Sequence, residues 1–198
     1  MKKIISVLLV LSLLVLGLSA CGNNKTKENK KMLKGKHHVE ILVEEYGLIS
    51  LELDADVAPI TVTNFVNLAN KNFYNGLTFH RVIKGFMIQG GDPLGNGTGG
   101  SDENIKGEFA RNGVKNTISH TRGVISMARS SDYNSASSQF FIVHQDSKYL
   151  DNQYAAFGHV TSGMDVVDAI AENTPVSDDN GTVEIINQPI ITSIKVID

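Results

Sequence analysis

Residues 79–93 read FHRVIKGFMIQGGDP, and the way this run folds decides the architecture. Phe79, Val82, Ile83, Phe86, Met87 and Ile88 fall into two apolar runs about Lys84-Gly85, the pattern of two short strands joined by a tight turn. Side chains alternate along a strand, so Arg81 is expected on one face with Phe79 and Ile83. A permanent cation on an apolar face has two explanations. Either a carboxylate distant in sequence pairs with it, or the charge is kept for a task. No acid stands beside Arg81 in the chain, and the pattern alone leaves both readings open.

The flanking segments set the fold class. HVEILVEEYGLISLELD (38–54) alternates on both sides of Glu45-Tyr46-Gly47 and predicts a β-hairpin. APITVTNFVNLANKNFYNG (58–76) changes period: Val62, Phe65, Val66 and Ala69 stand at i, i+3, i+4 and i+7, after a proline suited to a helix start and before an Asn-Gly stop. GDPLGNGTGGSDEN (91–104) is a glycine-rich loop. HTRGVISMA (120–128), SQFFIVH (138–144), YAAFGHV (154–160) and QPIITSIKVID (188–198) read as strands, and SGMDVVDAIAENTP (162–175) as a second amphipathic helix. Many short strands, two isolated helices and no βαβ alternation predict a mainly β fold, a closed or nearly closed antiparallel barrel capped by the helices.

The N-terminal segment is expected to lie outside this fold. Lys2 and Lys3 precede an apolar run from Ile4 to Leu18, the pattern of an export signal. Leu18-Ser19-Ala20-Cys21 resembles the lipobox of bacterial lipoproteins, so residues 1–20 are read as a signal peptide and Cys21 as the diacylated (palmitate-bearing) N-terminus of the mature chain. Two acyl chains hold a protein stably on a membrane. The expected address is therefore extracytoplasmic and lipid-anchored to the cell membrane. Residues 21–38 are read as a flexible tether with six lysines and one glutamate. Adjacent His37 and His38 in such a tail make a poor metal cage. The expected domain, 39–198, carries 10 Lys+Arg against 20 Asp+Glu, a formal −10 with no basic stripe, which argues against nucleic acid as a partner.

Few motifs offer conventional chemistry. Gly95-Asn96-Gly97-Thr98-Gly99-Gly100 satisfies G-x-G-x-x-G, but acids and no helical period follow it, so a dinucleotide site is not expected. No serine of 128–141 lies in a nucleophile elbow, and no His and Asp offer it recognisable support. His80, His120, His144 and His159 are spread without ligand spacing and are read as satisfied or surface side chains. The one cysteine is assigned to lipid. No metal or cofactor is expected. One reaction needs none of these parts: rotation about a peptide bond, whose barrier is about 18–20 kcal/mol because the C–N bond is partly double. X-Pro bonds have an appreciable cis population and flip in tens to hundreds of seconds unaided. In the twisted state the prolyl nitrogen regains a lone pair. A fixed, weakly hydrated guanidinium aimed at it binds that state better than either planar one.

FHRVIKGFMIQGGDP, GNGTGG, GVISMA, SQFFI and AAFGHV, in this order and spacing, closely resemble the cyclophilins, the cyclosporin-binding class of peptidyl-prolyl isomerases. The resemblance runs from about Val39 to the C-terminus and implies a closed eight-stranded antiparallel barrel with two helices. It implies that Arg81 is the catalytic arginine, oriented by Gln89. Phe86, Met87, Phe141 and Leu150 would wall the proline pocket, and Gln89 and Gln139 its polar side. Ala128 and the backbone of Arg129 would form the edge on which substrate lies, with Gly97 flooring an adjoining pocket. Three positions depart from the best-known eukaryotic pattern: Tyr149 replaces a tryptophan that hydrogen-bonds cyclosporin, Tyr154 a histidine, and Arg129 an asparagine. Weak cyclosporin binding is expected. The expected function is isomerisation of X-Pro bonds in exported polypeptides by a monomer; the alternative is a non-catalytic holdase or surface receptor using the same groove.

Overall fold

Pairing begins three residues before the expected domain boundary. In this computed structural model, which describes residues 31–198, β1 (Lys36–Val43) already includes Lys36, His37 and His38, opposite Asp54, Leu53 and Glu52 of β2 (Gly47–Asp54). Polar side chains do not prevent this, because the partners answer them. Lys36 Nζ lies 2.8 Å from Asp54 Oδ2, and the His38 backbone donates to Asp198 Oδ1 at 2.9 Å. The expected signal peptide, the lipidated Cys21 and the tether up to residue 30 lie outside the described residues.

The remaining strands are β3 (Phe79–Ile83), β4 (Met87–Gly90), β5 (Val124–Met127), β6 (Phe140–Val143), β7 (Ala156–Ser162) and β8 (Ile191–Val196). They join in one antiparallel sheet in the order β3-β4-β6-β5-β7-β2-β1-β8. The sheet curls through 241° and stays open, which corrects the expected closed barrel. Its ends, β3 and β8, do not zip together because another segment takes the outer edge of β3. Val82 N–H donates to Gly181 O at 2.8 Å, and Val183 N–H to His80 O at 3.0 Å. Near β8 the seam is held by the bridge of Thr78 with Ile190 and by backbone hydrogen bonds from Phe79 N to Pro189 O, Ile191 N to Leu77 O and Gly76 N to Ile191 O, at 2.9, 2.7 and 2.8 Å.

Two helices cover the curl. α1 (Pro59–Asn70) buries Val62, Phe65, Val66 and Ala69, the stripe its period predicts. Its first turn is satisfied from far along the chain: the buried Glu108 carboxylate accepts from Ile60 N at 3.0 Å, Thr61 N at 2.8 Å and Thr61 Oγ1 at 2.7 Å. Phe65 lies 5.1–5.4 Å, centroid to centroid, from Tyr74, Phe140 and Phe157, making an aromatic centre to the core. α2 (Met164–Asn173) buries Val166, Val167, Ile170 and Ala171. A second, smaller apolar cluster of Met87, Val124, Phe141, Val143, Leu150 and Ala156 lies under the site described next.

Candidate active site

The β3–β4 hairpin does not alternate cleanly. Its register shifts between Phe79 and Arg81, a bulge at His80. Phe79 and Val82 consequently both enter the main core, while Ile83 packs on the smaller cluster and Arg81 turns to a cavity. The expected shared face of Arg81 and Phe79 is thereby corrected: one extra residue rotates the arginine out of the core.

Arg81 is half-buried, and its bonds fix its plane. Nε donates to Asn180 O at 2.8 Å and Nη1 to Gln89 Oε1 at 3.3 Å. Burial pulls its pKa below the usual arginine value, while Tyr154, Asp178 and Tyr149 draw it back up at longer range. Among the described residues no carboxylate forms an ion pair with it. The first of the two readings, a structural cation with a distant acid, is therefore not what the fold builds.

The cavity in front of Arg81 has a volume of about 490 Å³. Phe86, Met87, Phe141 and Leu150 make its apolar side, and Gln89, Gly97, Ala128, Arg129 and Tyr154 also line it. Gln139 lines an adjoining hollow with Gly97, Thr98 and Ser135. Tyr149 stands outside the lining, 65% exposed, with its ring 5.8 Å from that of Phe86. Asn180 and Thr182 line the cavity without having been singled out from sequence; His80, read there as a satisfied or surface ring, lines it too. The loop 180–182 arrives only through its pairing with β3, a contact no periodicity announces.

Phe141 is buttressed from behind. The His120 ring stacks on it at 6.1 Å and 18°, and Tyr154 meets its edge at 5.9 Å. His120 Nδ1 lies 2.9 Å from Asp151 Oδ1, and Nε2 3.0 Å from Ser126 Oγ. This is the spacing of a hydrolytic triad, in which His120 and Ser126 come from one segment and Asp151 from 31 residues further on. Ser126 is 0% exposed, however, so its oxygen has no path to a substrate carbonyl. Burial lowers the His120 pKa more than Asp151 raises it, keeping the ring neutral. The line serves as a brace.

His80 departs from the satisfied histidines expected. Both its ring nitrogens are buried without a hydrogen bond of ordinary geometry among the described residues, and burial lowers its pKa, while Asp92 and the nearby Gln139 side chain oppose that shift. Arg129 also contributes more than the backbone assigned to it. Its guanidinium lies 5.2, 4.9 and 4.7 Å from the ring centroids of Phe109, Tyr133 and Tyr154. Nε and Nη2 both donate to Gln153 O, at 3.0 and 2.9 Å. The side chain clamps Tyr154, which in turn abuts Phe141.

The glycine-rich loop already holds an anion, and it is the protein's own. Asp92 Oδ1 accepts from Leu94 N at 2.8 Å, and Oδ2 from Asn96 N at 3.1 Å and Gly97 N at 2.6 Å. The Gly99 N–H also helps hold the carboxyl below the usual carboxylate range, against the upward pull of burial. A Cβ on Gly99 would overlap Asp92 Oδ1, and Gly97 sits at φ +87°. The amides that a dinucleotide phosphate would need are engaged.

Such a cavity suits a ring with extended backbone on either side, and the guanidinium supplies donors without any group that must gain or lose a proton. Known proteins agree with that class. A family described as cyclophilin type peptidyl-prolyl cis-trans isomerase matches residues 38–196, and the chain belongs to this family. A peptidyl-prolyl cis-trans isomerase of Helicobacter pylori is 45% identical over 150 residues, 75% of this chain and 89% of the relative. Peptidyl-prolyl cis-trans isomerase B of Bacillus subtilis is 47% identical over 124 residues, 63% of this chain and 83% of the relative. Among solved structures, a Cryptosporidium parvum cyclophilin-type isomerase crystallised in the presence of the dipeptide Ala-Pro superposes with a TM-score of 0.72 at 31% identity, covering 81% of this chain and 99% of that one.

Proposed function

We propose that this domain accelerates cis-trans rotation of X-Pro bonds in exported polypeptides, at the outer face of the membrane to which Cys21 anchors it. One observation carries the catalytic part: the Arg81 guanidinium stands at the cavity walled on one side by Phe86, Met87, Phe141 and Leu150, with no carboxylate among the described residues paired to it. The prolyl ring enters between Phe86, Met87, Phe141 and Leu150. Substrate backbone runs along Ala128 and Arg129, with the preceding residue over Gly97. Asn180 O and Gln89 Oε1 take Nε and one Nη1 donor, so the remaining N–H groups of Arg81 point at the prolyl nitrogen. As the bond twists, that nitrogen becomes a better acceptor and the interaction strengthens. An acceleration of about 10⁵ requires roughly 7 kcal/mol of such differential stabilisation. Ground-state affinity is weak, about 0.1–1 mM, which lets a folding client go.

A protease-coupled assay on a proline tetrapeptide tests this directly. A loss of at least about a hundredfold on Arg81→Ala in a folded protein is expected; equal rates from wild type and variant overturn catalysis through Arg81, and no turnover by either leaves the non-catalytic holdase or surface receptor. The location rests on the apolar run 4–18 and the Leu18-Ser19-Ala20-Cys21 motif. Labelled palmitate should enter the wild-type chain and not Cys21→Ser, which should leave the membrane fraction. Label in both defeats the anchor and leaves the isomerase reading standing.

A further inference from the structure

Asp92 is joined to Arg81 by a run of hydrogen bonds that passes through the backbone of Gly97 and whose direction is fixed at both ends. A guanidinium only donates, so Gln89 turns Oε1 to Arg81, and its Nε2 reaches Gln139 Oε1 at 2.9 Å. Gln139 therefore directs its own Nε2 at the carbonyls of Gly97 and Gly99, at 3.1 and 2.8 Å, which only accept. Turning either amide over would set acceptor against acceptor, so each has one orientation. The two carbonyls are in place because the loop bearing them is wrapped on the Asp92 carboxylate, with Gly97 N–H only 2.6 Å away. Asp92 itself is 1% exposed and does not line the cavity.

We propose that Asp92 is a positioning residue for isomerisation: it fixes the 94–99 loop and, through Gln139 and then Gln89, sets the direction in which Arg81 presents its donors. The inference rests on the isomerase reading and assigns a residue outside the cavity to it. Charge-assisted bonds to a buried carboxylate are short and stiff. A shift of about 1 Å at a reacting group can cost about 100-fold in rate, so a stiff loop is worth having.

Asp92→Asn is nearly the same size but puts an NH₂ against backbone donors, so the loop must loosen on one side. With the purified protein and a proline tetrapeptide, kcat should fall about tenfold or more while KM stays within about twofold. In a Gln139→Leu background, where the run is already cut, Asp92→Asn should add no further loss. Losses that multiply, or an unchanged kcat in folded Asp92→Asn, overturn the proposal. Should Asp92→Asn not fold, Gln139→Glu keeps the acceptor facing Gln89 but cannot donate to Gly97 and Gly99; an undiminished kcat there overturns it equally. Wild-type turnover is the control for the underlying reading. If wild type shows none, that reading fails, and the linkage is decided by the Arg81 Nε–H resonance, which has to move in Asp92→Asn.

Discussion

Arg81 and Gln89 face each other across the β3–β4 ladder as register partners, and Arg81 Nη1 donates to Gln89 Oε1 at 3.3 Å. Asn180 O holds the same guanidinium from the other side at 2.8 Å. A forked cation gripped at two points has little freedom to turn, so its remaining donors are aimed before substrate arrives. Preorganisation of this kind makes a donor worth more in the twisted state than it would be in water.

Removing the fork should cost accordingly. Arg81→Ala is expected to lower kcat/KM by about 10²–10³ with little change in thermal stability. Arg81→Lys should recover little of this, because one ammonium cannot satisfy Asn180 O, Gln89 Oε1 and a prolyl nitrogen at once. Protease-coupled rates on both variants decide the matter, and a lysine variant as fast as wild type would contradict the geometry.

The rate should be nearly independent of pH between about 6 and 8.5, since no proton moves in the chemical step. His80, the titratable ring in the cavity, has its pKa lowered from 6.5 by burial, so its charging is displaced to more acid conditions. Stability behaves differently. His80 and His120 are both neutral when folded and have pKa values depressed below 6.5, so their contributions are complete above 6.5 and are lost as pH falls through the folded values. Asp92 and Asp151, lowered from 3.8, add a further loss at still lower pH. Thermal melts across this range should show stability declining on the acid side; a bell-shaped rate profile in folded protein would reveal an unrecognised proton carrier.

Arg129→Met tests the aromatic clamp. Methionine keeps an apolar stem and removes the charge shared among Phe109, Tyr133 and Tyr154. At about 0.5–1 kcal/mol for each exposed cation–π contact, partly compensated by packing, the variant should lose about 1–2 kcal/mol. Arg129→Lys should not restore it, because lysine cannot also reach Gln153 O with a fork. Unfolding in denaturant measures both; a methionine variant as stable as wild type removes the clamp from the account.

Tyr149 is exposed at the rim beside Phe86, where the best-known cyclosporin-binding relatives carry tryptophan. Inhibition of wild type by cyclosporin is expected to be weak, and Tyr149→Trp should tighten it by about tenfold, a gain of about 1.4 kcal/mol. Titration of the rate with inhibitor for both proteins is the measurement, and equal inhibition would place the determinant elsewhere.

The elements were legible because their periods are strong. Val62, Phe65, Val66 and Ala69 could only be a helix face, and the alternation of 38–54 could only be a hairpin. What escaped depends on single-residue offsets or on distant partners. The bulge at His80 leaves the composition of β3 unchanged and still reverses the face of Arg81. The pairing of Gly181 and Val183 with β3 uses backbone atoms alone, so no side-chain pattern marks the open seam. Asp151 meets His120 and Ser126 only after two segments are packed. Asp92, in Gly-Gly-Asp-Pro, reads as an ordinary turn residue until the loop that follows it is seen to close on its carboxylate. The candidate cavity was legible through resemblance, and its supports were not.

The placement of β1 bears on how the domain carries mechanical load. It is an inner strand, laddered to β2 on one side and β8 on the other, while the sheet order ends in β3 and β8. Tension entering the chain ahead of Lys36 must therefore strip two ladders together before anything unravels, and the strand that bears Arg81 pairs with neither edge of the strand being pulled.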